Sequence, residues 1–199
     1  MRAAAILALF GGLACALPAA AQEADKQSFE VLQRGRYLAT AADCTACHTP
    51  IGGKLFSGGR PLETPFGTLL APNITSDPTG IGNWTEAEFY DLLHNGIGRG
   101  GIHVYPAMPY TYYTRMTRND SAAILAYLKS TDPVNNAVQA NQLPFPFNIR
   151  ASLAGWNALF FAPGEFKPDP AKSEAWNRGA YLVQGPEHCG MCHLSLIHI

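Results

Sequence analysis

Cys44-Thr45-Ala46-Cys47-His48 and, far along the chain, Cys189-Gly190-Met191-Cys192-His193 each set two cysteines three positions apart with a histidine directly after the second. Two thiols at this spacing can add to the two vinyl groups of one porphyrin, and the following histidine is placed to put an imidazole nitrogen on the iron. The pattern is that of c-type haem attachment. Cys44, Cys47, Cys189 and Cys192 are the expected thioether anchors, and His48 and His193 the expected proximal ligands. A protein that fixes haem covalently moves electrons, so no side chain is singled out as catalytic.

Other uses of paired cysteines fit less well. A zinc ribbon wants its two CxxC knuckles about 15–20 residues apart, whereas most of the chain separates Cys47 from Cys189. A thioredoxin-like pair opens a helix within a βαβ pattern, and neither copy follows a strand-like run. Structural disulfides leave the two histidines unexplained.

Haem is attached to apocytochrome c outside the cytoplasm, and the N-terminus reads as an export signal. Arg2 gives a positive start, Ala3 to Pro18 is almost wholly apolar, and Ala19-Ala20-Ala21 forms a small-residue cleavage site before Gln22. The apolar run is short of the roughly 20 residues that span a bilayer. Residues 1–21 are therefore expected to be a signal peptide, removed together with Cys15, which leaves four cysteines for two haems. With 14 basic and 15 acidic side chains there is no cationic excess to neutralise phosphate, so nucleic acid is not an expected partner.

An internal repeat sets the domain layout. Arg34-Gly35-Arg36-Tyr37-Leu38 precedes the first motif and Arg178-Gly179-Ala180-Tyr181-Leu182 the second, at nearly the same distance. Before the first motif, Gln27 to Ala42 reads as a helix with Phe29, Leu32, Gly35 or Arg36 and Ala39 on one face. Gly35 inside it costs about 1 kcal/mol relative to Ala, which suggests close approach by another helix. Ser121 to Lys129 is the candidate partner, with Ile124, Leu125, Tyr127 and Leu128 as its stripe, Thr117 or Asn119 as cap and Pro133 as stop. Between them Thr85 and Glu88 form a capping box, Phe89, Leu92 and Leu93 face inward, and Asn95-Gly96 ends the helix.

Helix, CxxCH, a long Gly/Pro-rich loop, helix, loop and closing helix is an order that resembles the class I cytochrome c fold. The expected architecture is thus all-α: one class I cytochrome c-like haem domain with long Gly/Pro-rich loops, followed by the start of a second. Methionine sulfur is the usual sixth ligand in such domains. Met191 is constrained between the cysteines of its own motif, and Met116 beside the last helix reads as packing. Met108, between Pro106 and Pro109 in Tyr105-Pro106-Ala107-Met108-Pro109-Tyr110, is the expected ligand. His94 and His103 are the possible histidine substitutes for it, but His94, at a helix end, reads more simply as a surface or dipole residue. His103 is either a haem-propionate partner or an ordinary loop histidine.

Longer motifs resemble the cytochrome c subunit of the bacterial membrane-bound alcohol, gluconate and sorbitol dehydrogenase complexes. They are Gly35-Arg36-Tyr37-Leu38, Cys44-Thr45-Ala46-Cys47-His48-Thr49, Thr64-Pro65-Phe66-Gly67-Thr68, Asn73-Ile74-Thr75 with Gly80-Ile81-Gly82-Asn83-Trp84, and Tyr105 to Tyr110. Trp156-Asn157-Ala158-Leu159-Phe160 and Trp176 to Val183 extend the match over Gln27 to His193. The resemblance implies a large dehydrogenase subunit carrying pyrroloquinoline quinone (PQQ) or flavin as electron donor, membrane quinone as acceptor, and a place at the periplasmic face of the inner membrane. Trp84, Tyr105 and Tyr110 either line the haem pocket or pack in the core without a redox effect.

That family carries three haem domains and a membrane-associated C-terminal segment, whereas this chain stops six residues after His193. Leu194-Ser195-Leu196-Ile197-His198-Ile199 is what one reading frame of a transposon sequencing adapter encodes, so 194–199 is expected to be a non-native tail. The expected divisions are haem domain 27–132, linker 133–173, and the truncated start of a second domain at 174–193. The other function classes are a free-standing dihaem shuttle or peroxidase-type cytochrome, and a non-haem metal or thiol protein of the cell envelope.

Overall fold

Two helices far apart in the chain cross at a glycine. In the computed structural model, which describes residues 19–193 with side chains from Ser28 onward, α1 (Ala19–Ala41) packs on α5 (Arg118–Lys129). A Cβ at Gly35 would stand 1.9 Å from the Ala123 carbonyl oxygen and 2.8 Å from Cβ of Tyr127. Only glycine lets the two backbones come this close. Leu38, Ala39 and Ala42 from α1 and Ala123, Ile124, Leu125 and Leu128 from α5 are buried at the contact. The expected crossing of these two segments is therefore present.

Phe29, expected on the inner face of α1, is instead 61% exposed. It lies six residues before the crossing, about 9 Å along the axis, beyond the packed part of the pair. α1 also begins at Ala19 rather than Gln27, because Ala19 to Lys26 is a run composed largely of strong helix formers. Of the expected leader 1–21, residues 1–18 with Cys15 lie outside the described residues, as does the expected tail 194–199, while Ala19 to Ala21 open α1.

The helix between them, α3 (Glu86–Asn95), carries both of its expected end signals. Thr85 Oγ1 accepts from Glu88 N, the Glu88 carboxylate accepts from Thr85 N, and Gly96 closes the helix at φ 68°. Phe89 and Leu93 are buried, and Leu92 packs half-buried against the same core. Thr117 rather than Asn119 caps α5, accepting from Asp120 N.

The all-α expectation needs one addition. β1 (Pro61–Thr64) pairs antiparallel with β2 (Gly67–Leu70), and β3 (Ile97–Gly98) with β4 (Ile102–His103). These ladders are too short to leave a period-two signature. Short helices complete the loops: α2 (Cys44–His48) and α4 (Tyr110–Tyr113).

The stretch expected as a linker, 133–173, contains α6 (Ser152–Phe160) and lies along the first domain. Gly164 N donates to Thr114 Oγ1 at 2.9 Å, Phe166 N to Arg115 O at 2.9 Å, and Tyr90 OH to Glu165 Oε1 at 2.9 Å. The repeat then begins again with α7 (Glu174–Gln184), capped by Ser173, and α8 (Gly190–His193). Its correspondence with the first copy extends to the backbone. Asp43 and His188, each directly before a CxxCH, both adopt left-handed conformations, at φ 49° and 37°. The Arg178 guanidinium sits between the rings of Tyr37 and Tyr181, at 5.7 and 5.3 Å, so the two copies of the repeat face one another.

Candidate haem site

α2 presents both thiols of the first motif on one short helix: Cys44 and Cys47 are free, as are Cys189 and Cys192. Cys44 packs against the core cluster formed by α1, α3 and α5. Burial pushes its thiol up to about 12, and burial likewise raises Cys47. Burial favours the neutral form of both thiols.

His48 is fixed from two sides. Its Nδ1 lies 2.8 Å from the carbonyl oxygen of Pro72, and its own carbonyl accepts from Gly58 N at 2.8 Å. A carbonyl only accepts, so Nδ1 carries the proton and the Nε2 lone pair is left free, the arrangement a metal-binding histidine needs. Burial lowers the pKa of the ring, which favours this neutral form.

The local fold that brings Pro72 to His48 depends on Gly58 and Asn73. Gly58 has φ 73°, and a Cβ there would come within 2.4 Å of the Pro72 carbonyl carbon. Beyond Pro72, Asn73 donates to Val134 O at 2.7 Å and accepts from Thr75 N at 2.9 Å. Asn73 and Thr75 are both buried. Sequence reasoning noted Asn73-Ile74-Thr75 as a motif but missed its consequence, the placing of the Pro72 carbonyl. A carbonyl carries no residue-type signal that could have revealed it.

Met108 lies in a turn closed by its own N–H on Tyr105 O at 3.0 Å, with Pro106 setting the turn as its second residue. Its side chain is half-buried against the core cluster that also receives Cys44 and Trp84. Met116 is buried in the core, and Met191 is exposed. His94 lies at the end of α3, stacked on Tyr90 at 4.9 Å, with Nδ1 3.2 Å from that hydroxyl. His103 has a buried Nδ1 with no hydrogen-bond partner among the described residues.

The second motif is more open. Cys189 Sγ lies 3.9 Å from Glu187 Oε2, while Cys192 and His193 are exposed. The ring of Tyr113 links the two motifs: its hydroxyl donates to Ala42 O at 2.7 Å, and its ring centroid lies 5.7 Å from that of His188.

Paired free thiols on one helix, a neutral imidazole with a free Nε2 and a half-buried thioether are a donor set that suits haem c. The family profile described as Cytochrome c matches residues 32–132, and the chain belongs to the cytochrome c family, whose cofactor is haem c. Similar proteins include a nicotinate dehydrogenase subunit of Pseudomonas putida, 50% identical over 94% of this chain and 16% of its own length. The alcohol dehydrogenase (quinone) cytochrome c subunit of Gluconacetobacter polyoxogenes is 41% identical over 88% of this chain and 38% of its own length. The gluconate 2-dehydrogenase cytochrome c subunit of Pantoea cypripedii is 40% identical over 94% and 43%. The chain thus spans less than half the length of each of these relatives.

Proposed function

We propose that this chain is part of the electron-transfer subunit of a dehydrogenase complex, exported to the periplasmic face of the bacterial inner membrane and passing electrons from a PQQ or flavin subunit towards membrane quinone. The observation that carries this reading is the kind of relative matched: cytochrome c subunits of alcohol and gluconate dehydrogenases, over nearly the whole of this chain. Among the described residues no helix is long and apolar enough to cross a membrane.

Haem c supplies one-electron chemistry, its iron cycling between the ferric and ferrous states. Cys44 and Cys47 would anchor it in the first domain, and His48 and Met108 would hold its iron. Pro72 holds the His48 ring in its binding tautomer through the 2.8 Å contact. Cys189 and Cys192 would anchor a second haem, and His193 would hold its iron. Cys44 and Met108 pack against one buried core, and burial is one of the levers that set a haem potential.

The test is purification of the tagged chain from membranes of its source. Recovery with a dehydrogenase subunit whose substrate reduces the haem supports the reading, and recovery alone contradicts it. The relative at 50% identity favours a second reading, in which the donor is a nicotinate-type dehydrogenase. Haem reduction by nicotinate rather than by alcohols or gluconate in the same purified complex decides between the two.

A further inference from the structure

The loop bearing Met108 is gripped at both ends by a segment that follows the residues matched by the family profile, which end at 132. At one end the Tyr105 hydroxyl donates to Phe147 O at 2.8 Å. The Arg150 guanidinium lies 4.8 Å over the Tyr105 ring while its Nη1 donates to His103 O at 2.9 Å. At the other end the Tyr110 hydroxyl donates to Asn157 Oδ1 at 2.6 Å, and Phe161 meets the Tyr110 ring edge-on at 5.1 Å. Tyr110 is wholly buried. The segment is itself fastened to the domain, since Gln142 exchanges backbone bonds with Thr68 at 2.8 and 3.1 Å and Phe147 packs on Phe66 at 4.8 Å.

We propose that residues 141–161 form a strap that positions the sixth iron ligand, with Asn157 and Arg150 as positioning residues for Met108. The inference rests on Met108 being that ligand. A thioether is a weak ligand that an external base can displace, so its occupancy depends on how firmly the loop is held. Tyr110 is two residues from Met108, and the Met108 carbonyl accepts from Tyr110 N at 2.8 Å. A shift of the Tyr110 ring is therefore passed directly to the ligand's backbone. Removing Asn157 leaves the buried Tyr110 hydroxyl without its acceptor and releases this end of the loop. Removing Arg150 frees the other end.

The experiment is imidazole titration of the ferric, haem-loaded full chain, read together with the charge-transfer band of methionine sulfur on ferric iron. Asn157→Ala is expected to tighten imidazole binding about tenfold, the scale of one lost buried hydrogen bond, and to weaken the band. Asn157→Asp keeps an acceptor for Tyr110 and is expected to restore both. Arg150→Ala, a change at an exposed residue, is expected to act in the same direction as Asn157→Ala and decides the matter if Asn157→Ala does not fold. A strap that only stabilised the fold would lower the denaturation midpoint and leave imidazole affinity unchanged. Wild-type affinity and band in the folded Ala variants overturn the proposal. Met108→Ala separates the two claims: if it leaves the band intact, the ligand assignment fails, whereas loss of the band there with no response at Asn157 and Arg150 overturns the strap alone.

Discussion

Tyr181 donates its hydroxyl to Asp120 Oδ2 at 2.5 Å, and the other oxygen of that carboxylate holds Arg34 Nε at 2.5 Å. Asp120 is 1% exposed, so one buried carboxylate on α5 joins the opening helix of the first repeat to the opening helix of the second. Thr117 N completes the group by donating to the Tyr181 oxygen at 3.3 Å. Burial raises the Tyr181 phenol, and its bond to Asp120 raises it further, so it stays protonated and a donor.

Tyr181→Phe keeps the ring against Phe166 and Arg178 and removes two hydrogen bonds, the one to the charged Asp120 carboxylate and the one accepted from Thr117 N. It is expected to cost about 1.5–3 kcal/mol in urea denaturation. Arg34→Ala is expected to cost at least as much, about 3 kcal/mol, because it leaves the 1% exposed Asp120 carboxylate without its counter-charge, although the Arg34 side chain itself is 53% exposed. A loss at Arg34 well below that at Tyr181 would mean that the phenol, not the ion pair, carries the junction.

The two repeat glycines give opposite predictions. Gly35→Ala drives a Cβ to 1.9 Å from Ala123 O, and parting α1 from α5 is expected to cost about 1–3 kcal/mol or more. Gly179→Ala meets nothing within 4 Å among the described residues, and it removes a helix-interior glycine, so it is expected to stabilise by about 0.5–1 kcal/mol. Thermal unfolding of the pair of variants checks both signs.

What could be read in advance was local, or repeated. The capping box of α3 and the closeness demanded by Gly35 are stated by residue type and spacing, and both are present. The strap could not be read. α6 has no side-chain cap at Ala151, and its placement comes from Asn157 meeting Tyr110, 47 positions earlier in the chain. Asp120 was hidden for a related reason: an acidic residue in the first turn of a helix reads as a partner for the helix dipole. That it also bridges two repeats depends on tertiary approach. Phe29 misled because periodicity identifies a face and not how far along that face the partner reaches.

The Glu88 cap predicts a pH dependence. The Thr85 backbone N–H, then its hydroxyl, hold the Glu88 carboxyl below its ordinary 4.5, helped by Arg99 at 3.2 Å. Because the folded value is depressed, the stabilisation is present above 4.5 and is lost as pH falls through the folded value. The stability difference between wild type and Glu88→Gln is expected to be complete near neutrality and to shrink only as pH falls below 4.5. Thr85→Ala is expected to cost about 1 kcal/mol, read by urea denaturation near neutral pH.

Gly58→Ala tests how His48 is held. A residue with a Cβ at φ 73° and 2.4 Å from the Pro72 carbonyl carbon must push that carbonyl away from His48 Nδ1. The expected outcome is a destabilisation of about 1–3 kcal/mol and a raised haem reduction potential, because an imidazole that loses its hydrogen bond is a less basic ligand. An unchanged potential would mean that the Pro72 carbonyl does not tune the ring.

Intact-mass spectrometry of the chain matured in a periplasm with haem-attachment machinery bears most directly on the account. The predicted result is covalent haem on the wild-type chain and the loss of one haem mass on changing Cys44 and Cys47 together to serine. A wild-type chain without added haem mass, or a double variant that keeps its full haem content, would contradict it.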